Sequence, residues 1–279
     1  MITRRSLAVA GFALGIAASC ANAQEKVRFA TEGAFAPYNY TEPNGTLAGF
    51  EIDLYKDLCT RAKLECTIEA QAFDGIIPAL NAGKFDAIIA GMSITPKREE
   101  AVMFTIPYAN VGQIFMTMKS GTIGELGETG TIYSLTTNEA GAKEAIEKLK
   151  PKLKGKVIGV QTSTIAAAFM KQYLDGIVEV REYKTTEQHD LDLYAGRVDA
   201  VFASLAYLTS AQKKANNPDI LITGPRFQGG LLGRGTGIAV RKDATALKTK
   251  LDAALEAAKA DGTVKKLSEK FFGFDVTPR

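Results

Sequence analysis

Hydrophobic and polar positions follow two periods along the chain, and these predict strands and helices in turn. The short apolar run 85–91 is typical of a buried strand, whereas 51–63 repeats its apolar residues at the spacing of an amphipathic helix. The other predicted strands are 26–31, 66–70, 156–161, 178–183, 199–204 and 236–241. The other predicted helices are a short one capped by Asp74, one directly after residue 204, and 165–174, 186–196, 244–260 and 263–272. This alternation favours an α/β architecture with mostly parallel sheets.

Two segments interrupt the alternation. Residues 119–154 are rich in glycine, threonine and lysine and contain one helical run at 140–149, which predicts a surface excursion between two lobes. The glycine run 229–237 has no strand before it and is followed by a strand, so it predicts a flexible connector and not a phosphate-binding loop. Two unequal lobes that share a cleft are the simplest architecture with these features.

The first 23 residues have the pattern of a secretory signal peptide. Two arginines precede an apolar stretch at 7–18, and 21–23 supply the small residues of a cleavage site. The apolar stretch is too short to span a bilayer. Lipidation at Cys20 is the alternative, although the residues before it fit a lipobox poorly. We therefore expect an exported protein that begins near Gln24.

Charge and cysteine content narrow the possible partners. Loss of the signal removes two arginines and no acidic residue, which changes the net charge from +3 to +1. A chain so near neutrality predicts no broad basic surface for nucleic acid or an anionic membrane. Cys59 and Cys66 then remain, and in an oxidising compartment they are expected to form a disulfide. A zinc site would need more Cys or His residues nearby, and the sequence has none there.

The segment 90–98 has the features of an anion-binding site. Thr95 suits the N-cap of a helix, Pro96 suits its first position, and Arg98 falls in its first turn. Free backbone N–H groups, a hydroxyl and a guanidinium would then surround one point, where they could hold a carboxylate. The alternative is a capped helix whose Arg98 pairs with Glu99 or with solvent.

Motifs for catalysis are missing from the sequence. The one histidine, His189, falls within a predicted helix, where we expect it on the helix surface. The sequence contains no Gly-x-Ser-x-Gly, Walker or His-Glu-x-x-His motif. Ser93 has no base near it in sequence and is better suited to donate its hydroxyl to a ligand. We therefore predict a protein that is not an enzyme and that uses no cofactor and no metal.

Short motifs follow one another in order over nearly the whole of 26–278. They are Ala36-Pro37-Tyr38, Gly49-Phe50-Glu51-Ile52-Asp53-Leu54, Phe73-Asp74-Gly75-Ile76-Ile77-Pro78, 93–98, 159–164, 195–200 and 261–263. In this order they resemble the periplasmic solute-binding proteins of amino-acid ABC importers, family 3. Within the family the chain is most similar to the opine-binding members, those for nopaline and octopine. The segments that carry this finer likeness are 30–33, 87–92, 224–230 and 273–278.

The resemblance implies a type II periplasmic binding protein, with two α/β lobes that close over a ligand in the cleft between them. Lobe 1 would be 24–109 with 236–279, lobe 2 would be 114–226, and 110–113 and 227–235 would be the hinge segments. It also implies a monomer in the periplasm that serves an inner-membrane ABC permease. Cys59 and Cys66 match the short disulfide of the lysine/arginine/ornithine- and histidine-binding members.

For the carboxylate end of the ligand, the resemblance implies that Arg98 grips the α-carboxylate with help from the Ser93 hydroxyl and from N–H groups around Gly91. A helix start in the opposite lobe would offer further N–H donors, although it could equally be a plain N-cap. The residues assigned to this end are Ala90, Gly91, Ser93, Arg98, Ser163 and Thr164.

For the rest of the ligand, Phe35 and Phe73 match aromatic positions that sandwich the side chain. Glu32 ends the first strand, where its carboxylate could pair with a guanidinium or ammonium group. Gln113 matches a position close to the hinge that faces the ligand in the opine-binding members. Without the resemblance, the two phenylalanines would be assigned to the core and Glu32 to the surface.

Ser204 departs from the basic amino-acid binders, which have an aspartate there for the ligand α-ammonium. Serine suits an opine, because its substituted amine carries a second carboxylate that an aspartate would repel. The sequence therefore predicts capture of an opine or a related arginine-derived amino acid. A general basic amino-acid binding protein is the alternative, and a dehydratase of the same fold, acting on prephenate-like acids, is a more remote one.

Overall fold

The computed structural model describes residues 24–278, which form fourteen β-strands and nine α-helices. The strands are β1 (Glu25–Thr31), β2 (Ala34–Phe35), β3 (Asn39–Thr41), β4 (Leu47–Ala48), β5 (Leu64–Ala70), β6 (Ala87–Ile88), β7 (Met103–Phe104), β8 (Gln113–Met118), β9 (Ile132–Ser134), β10 (Val157–Gln161), β11 (Glu179–Tyr183), β12 (Ala200–Ser204), β13 (Ile220–Gln228) and β14 (Ala239–Val240). The helices are α1 (Phe50–Arg61), α2 (Ile76–Asn81), α3 (Pro96–Glu99), α4 (Glu139–Leu153), α5 (Ile165–Tyr173), α6 (Thr186–Tyr194), α7 (Leu205–Ala215), α8 (Thr245–Ala260) and α9 (Thr263–Phe272). The predicted signal segment 1–23 lies outside the described residues.

The first of two main sheets has the strand order β5–β1–β6–β14–β7. β1 pairs in parallel with β5 and β6, whereas β14 pairs antiparallel with β6 and β7. Helices α1, α8 and α9 pack against this sheet around a core that includes Phe29, Phe50, Leu58 and Leu255. Because β14 comes from the C-terminal part of the chain, the sheet is complete only when residues 239–240 return to it.

The second main sheet has the strand order β11–β10–β12–β8–β13–β9. β10 pairs in parallel with β11 and β12, and β8 pairs antiparallel with β12 and β13. A separate core that includes Phe115, Phe169, Phe202 and Phe227 supports this sheet. The small strands β2, β3 and β4 form a third sheet by themselves. The predicted α/β class is therefore confirmed.

The segment predicted as a surface excursion contributes to the second core. Residues 119–154 contain β9, which pairs with β13, and α4, whose Ile146 and Leu149 are buried. Asn138 caps α4 by accepting a hydrogen bond from the Gly141 N–H at 3.1 Å. The helix also continues past the predicted end at 149 to Leu153, with Pro151 inside it. The prediction that residues 119–154 form a surface excursion was therefore wrong in part. The high glycine and lysine content of the segment drew attention away from the apolar residues of α4 that pack in the core.

The glycine run predicted to be a flexible connector is packed against the segment that precedes α3. The Ile94 N–H donates to the Gly235 carbonyl at 2.8 Å, and the Gly237 N–H donates to Met92 at 3.1 Å. A Cβ atom on Gly233 would come within 2.5 Å of the Ile94 carbonyl oxygen. These glycines therefore permit close backbone approach. The expectation that no strand precedes the run was wrong, because β13 ends at Gln228.

Cys59 and Cys66 form the predicted disulfide, with their Cα atoms 6.2 Å apart. The bridge joins the last turns of α1 to β5, the edge strand of the first sheet. It lies within the core of that sheet and does not line the cavity described below. We therefore expect it to stabilise the fold without contacting a ligand.

Replacing both cysteines with alanine is expected to lower the free energy of unfolding by about 2.5 kcal/mol, because the short covalent loop no longer restricts the unfolded chain. Urea unfolding of the variant and of the wild-type protein measures this difference. The reduced wild-type protein is the matched control and should lose a similar amount. An unchanged free energy of unfolding would contradict the prediction.

Candidate binding cleft

A cavity lies between the two main sheets and is lined from both of them. Its volume is about 800 Å³ with the open space at its mouth included. Several strands end at this cavity, which is where α/β sheets usually place a ligand. The residues assigned to the ligand from sequence that line it are Glu32, Phe35, Phe73, Ala90, Gly91, Ser93, Arg98, Gln113, Thr164 and Ser204. Ser163 does not line it, but its carbonyl accepts a hydrogen bond from Arg98.

Arg98 is held in the cavity wall by two backbone carbonyls. Its Nη1 donates to the Ser93 carbonyl at 3.0 Å, and its Nη2 donates across the cleft to the Ser163 carbonyl at 3.2 Å. The guanidinium lies over the Phe73 ring, with 5.4 Å from Cζ to the ring centroid. Burial lowers the pKa of Arg98 to about 10. Among residues 24–278 no carboxylate pairs with this cation.

The helix start predicted to attract an anion is much shorter than expected. α3 spans only Pro96–Glu99, so its dipole is small. Thr95 is the N-cap, as predicted, and its hydroxyl accepts the Arg98 N–H at 3.2 Å. Glu99 pairs with Arg234 at 2.9 Å, so the alternative in which Glu99 neutralises Arg98 is wrong. The guanidinium, and not the helix dipole, is therefore the main attraction for an anion at this wall.

Gly91 contacts the cavity, but its N–H is directed away from any ligand. This N–H donates to Oε1 of the buried Glu51 at 2.7 Å, and Glu51 also accepts from Tyr108 and from Asn39. The predicted N–H contact from Gly91 is therefore replaced by an internal hydrogen bond. Gly91 has a φ of 60°, and a Cβ there would meet the Phe35 ring at 2.8 Å, so only glycine fits.

The opposite wall is formed by the start of α5. Thr164 is the N-cap, as predicted, and its hydroxyl accepts the Ala167 N–H at 3.4 Å. The first N–H groups of an α-helix have no intrahelical acceptor. Thr164, Ile165 and Ala166 line the same cavity as Arg98.

Aromatic side chains cover one side of the cavity. The Phe35 ring stacks on Tyr38, with centroids 4.9 Å apart, and on Tyr207, with centroids 5.2 Å apart. Phe73 is nearly buried and supports the Arg98 guanidinium. The two phenylalanines thus lie in the cavity wall, where a ligand could contact them.

Glu32 is a buried carboxylate in the cavity wall, with only 8% of its surface exposed. Its Oε1 accepts a hydrogen bond from the Gln161 amide, which also donates to the Lys184 carbonyl at 3.0 Å. Within the described part of the chain, no Lys or Arg forms an ion pair with it. Burial raises the pKa of Glu32 to about 7, and Gln161 opposes that rise.

Ser204 ends β12 and begins α7, with its hydroxyl free of a capping hydrogen bond. The hydroxyl lies 3.4 Å from the Tyr38 hydroxyl. Gln113, at the start of β8, is paired with Ser204 in the sheet. Both residues line the cavity, and Gln113 is the last residue of the predicted hinge segment 110–113.

Sequence reasoning missed several polar residues that line the cavity, among them Tyr38, Gln161 and His189. Gln161 could have been found because it is the last residue of a strand that ends at the cleft. His189 was wrongly placed on the surface of α6, and it is completely buried. The spacing of Thr186, His189 and Leu193 on one face of α6 was the available signal.

The chain passes from the first sheet to the second between β7 and β8 and returns between β13 and β14, and the cavity lies between the two sheets that these crossing segments join. This is the arrangement of a solute-binding protein, and the family comparison agrees. Residues 27–274 match the model of the bacterial extracellular solute-binding proteins, family 3. The chain belongs to this family. The relatives of this solute-binding protein include binding proteins for amino-acid derivatives.

The octopine-binding periplasmic protein of Rhizobium meliloti is 43% identical over 285 residues, which cover 95% of this chain and 97% of that protein. The ABC transporter arginine-binding protein 1 of Escherichia coli K12 is 34% identical over 257 residues, which cover 90% of this chain and 93% of that one. A solved periplasmic binding protein of Salmonella typhimurium, described as highly arginine-specific, superposes with a TM-score of 0.74 at 30% identity, covering 89% of this chain and 99% of that one.

Two further observations on this solute-binding protein concern membrane-spanning helices and metal sites. Over residues 24–278, none of the helices combines the length and the apolar character needed to cross a membrane. The same residues contain no group of three or more His, Cys, Asp or Glu side chains placed to hold a metal ion.

Proposed function

We propose that this protein is an exported receptor that captures an opine or a related arginine-derived amino acid and delivers it to an inner-membrane ABC permease. One observation carries the proposal. The same cavity holds the Arg98 guanidinium and the Glu32 carboxylate, and within residues 24–278 neither has a partner of opposite charge. An amino acid with a cationic side chain has the complementary pair of charges.

The anionic end of the ligand would bind at Arg98. A half-buried cation without a counter-ion is unfavourable, and a ligand carboxylate would relieve that cost. Residues at the start of α5 line the same cavity, and their N–H groups would add donors from the opposite wall. On closure the carboxylate would thus contact residues from both sheets, which couples binding to closing.

The cationic end would bind at Glu32. A ligand guanidinium can donate to a carboxylate oxygen that Gln161 leaves free, and such charge-assisted bonds are the strong ones. Phe35 and Phe73 would contact the aliphatic part of the ligand between the two charges. This supports an arginine-derived ligand over acidic ones, and it makes dehydration of a prephenate-like diacid a poor fit, so we propose no enzymatic activity.

Ser204 supports an opine over the free amino acid. Its hydroxyl has no capping role and lies beside the Tyr38 hydroxyl, so it faces the cavity as a neutral hydrogen-bonding group. A primary α-ammonium would lack an ionic partner at this position. A secondary amine that carries an additional carboxylate would meet no repulsion there.

For closure we propose the lobes and hinges predicted from sequence, with 110–113 and 227–235 as hinge segments. Residues 113 and 227 pair with each other where the two crossing segments enter the second sheet. Contacts across the cleft, from Gln161 to Glu32 and from Arg98 to the Ser163 carbonyl, support a closed arrangement that a ligand would have to open. We also propose that residues 1–23 direct export to the periplasm and that the receptor is monomeric.

The test is a calorimetric titration of the mature protein and of Ser204→Asp with octopine, nopaline, arginine, lysine and glutamate. The wild-type protein should bind an opine more tightly than free arginine and should not bind glutamate. Ser204→Asp should reverse the preference by about ten- to a hundredfold, because the new carboxylate pairs with a primary ammonium and repels the second carboxylate of the opine.

Two outcomes of this titration would contradict the proposed opine specificity. Wild-type binding of free basic amino acids alone would make the protein a general basic amino-acid receptor, the function that the arginine-binding relatives favour. Binding of none of the cationic ligands would overturn the proposal as a whole.

A further inference from the structure

Glu51 is a buried carboxylate that lies next to the cleft without lining it. It is the second residue of α1, and none of its surface is exposed. Its Oε1 accepts hydrogen bonds from the Gly91 N–H at 2.7 Å and from the Tyr108 hydroxyl, and its Oε2 accepts from Nδ2 of Asn39 at 2.6 Å. Burial of a carboxylate is unfavourable, so Glu51 depends on these three donors.

Asn39 extends this network to the segment that carries Glu32. Asn39 is completely buried in β3, and its Oδ1 accepts the Gly33 N–H at 2.7 Å while its Nδ2 donates to Glu51. The Gly33 N–H belongs to the planar peptide group that joins Glu32 to Gly33. This hydrogen bond therefore fixes the backbone directly after the residue that supplies the carboxylate of the cavity.

Strand pairing does not reach these residues. β1 and β6 are neighbours in the first sheet, but they pair only over 29–30 and 87–88. Glu32 and Gly91 line the cavity, and both come after the paired residues in their own segments. Ligands of α/β sheets bind beyond the carboxyl ends of the strands, where the backbone ladder has ended. The network around Glu51 thus joins two segments of the cavity wall that strand pairing leaves unconnected.

We infer that Glu51 is a positioning residue for ligand binding, which fixes the segment of Glu32 relative to the segment that leads to Arg98. The inference rests on the proposed function, in which these two charged side chains bind opposite ends of one ligand. Such a ligand binds tightly only when both sites are already held at the separation of its own charges. Glu51 therefore acts on affinity without touching the ligand.

An exchange of carboxylate and amide between residues 51 and 39 tests this role. In Glu51→Gln, whichever way the two amides are turned, one N–H group faces another, and a hydrogen bond of the network is lost. Adding Asn39→Asp restores that bond with its direction reversed, keeps an acceptor for the Gly33 N–H and returns the charge. The affinities for octopine and arginine should fall about tenfold or more in Glu51→Gln and return to within about threefold of the wild-type values in the double variant.

Leu255→Ala is the matched control, because it weakens the fold without touching the network. Leu255 is completely buried in the core of the first sheet and does not line the cleft. Its truncation opens a cavity there and should lower the melting temperature while leaving the affinity of the folded protein unchanged. Calorimetric titration well below the melting temperature of each variant makes the comparison. Unchanged affinity in Glu51→Gln, an equal loss in Leu255→Ala, or a double variant that binds no better than Glu51→Gln would overturn the inference.

Amide hydrogen exchange of the wild-type protein provides a second test that does not depend on folding of a variant. Without ligand, the Gly33 and Gly91 N–H groups should exchange at least about a hundredfold more slowly than unprotected glycine amides, because each donates to a buried side chain. Exchange of either one at the unprotected rate would show that the network is not formed before the ligand binds, and would overturn the inference. Failure of the wild-type protein to bind octopine or arginine would instead refute the proposed function.

Discussion

Replacing Arg98 with alanine is expected to lower the affinity for every ligand that carries an α-carboxylate by at least about thirtyfold. The substitution removes a partly buried guanidinium whose only described protein partners are two carbonyls and a ring face. Loss of one partner from a buried, hydrogen-bonded charge pair typically costs 2–5 kcal/mol, which is about 30-fold to several thousandfold in affinity. Calorimetric titration with the ligand that the wild-type protein binds best measures this loss.

Arg234→Ala is the matched control for this experiment. Arg234 has 57% of its side chain exposed and pairs with Glu99, the neighbour of Arg98 in sequence. It carries the same charge but does not line the cavity, so its removal should leave affinity unchanged. Retained affinity in Arg98→Ala, or an equal loss in Arg234→Ala, would show that the carboxylate binds elsewhere.

Replacing Glu32 with glutamine should lower the affinity for cationic ligands by about ten- to a hundredfold and should remove its dependence on pH. A guanidinium needs the ionised carboxylate, whereas the pKa of Glu32 in the empty cavity is raised to about 7. Binding below that pH must therefore release a proton. The wild-type affinity should rise about tenfold from pH 6 to pH 8, and titrations across this range measure it.

The same carboxylate has the opposite effect on the ligand-free protein. The pKa of Glu32 is higher in the folded state than in the unfolded state, so its contribution to stability is complete below about pH 4.5 and is lost as pH rises through about 7. The loss is about 3 kcal/mol at most. The difference in unfolding free energy between the wild-type protein and Glu32→Gln should therefore change with pH over this range.

Glu65→Gln serves as the control for both measurements. Glu65 is exposed and forms a surface ion pair with Lys26 at 3.6 Å, so its neutralisation should change neither affinity nor the pH profile. A pH-independent affinity in the wild-type protein would contradict the assignment of the cationic end to Glu32.

Much of the fold follows from local pattern. The helices over 50–61, 165–173, 245–260 and 263–272 lie within a few residues of their predicted bounds, because apolar periodicity and end signals act over one or two turns. Thr95 and Thr164 are N-caps for the same local reason. The disulfide also follows from sequence, since Cys59 and Cys66 are the two cysteines after the signal and are close along the chain.

The extent of short elements was predicted less well. The strand at 85–91 is reduced to Ala87–Ile88, and α3 is a single turn. In the segment that contains both, backbone N–H groups donate to residues distant in sequence. The Gly91 N–H donates to Glu51, and the Ile94 N–H donates to Gly235. Propensity along the chain carries no information about such partners.

The sequence by itself determined the α/β class, the family resemblance and the charged residues Glu32 and Arg98 that line the cavity, because these depend on local periodicity and on short motifs. Only the tertiary structure decided that no carboxylate within residues 24–278 pairs with Arg98, that the Gly91 N–H is bonded to Glu51, that the glycine run is packed and that His189 is buried. Each of these depends on atoms that are far apart in sequence. Whether a charged group or an N–H donor is free to bind a ligand depends on which other protein groups the fold brings next to it.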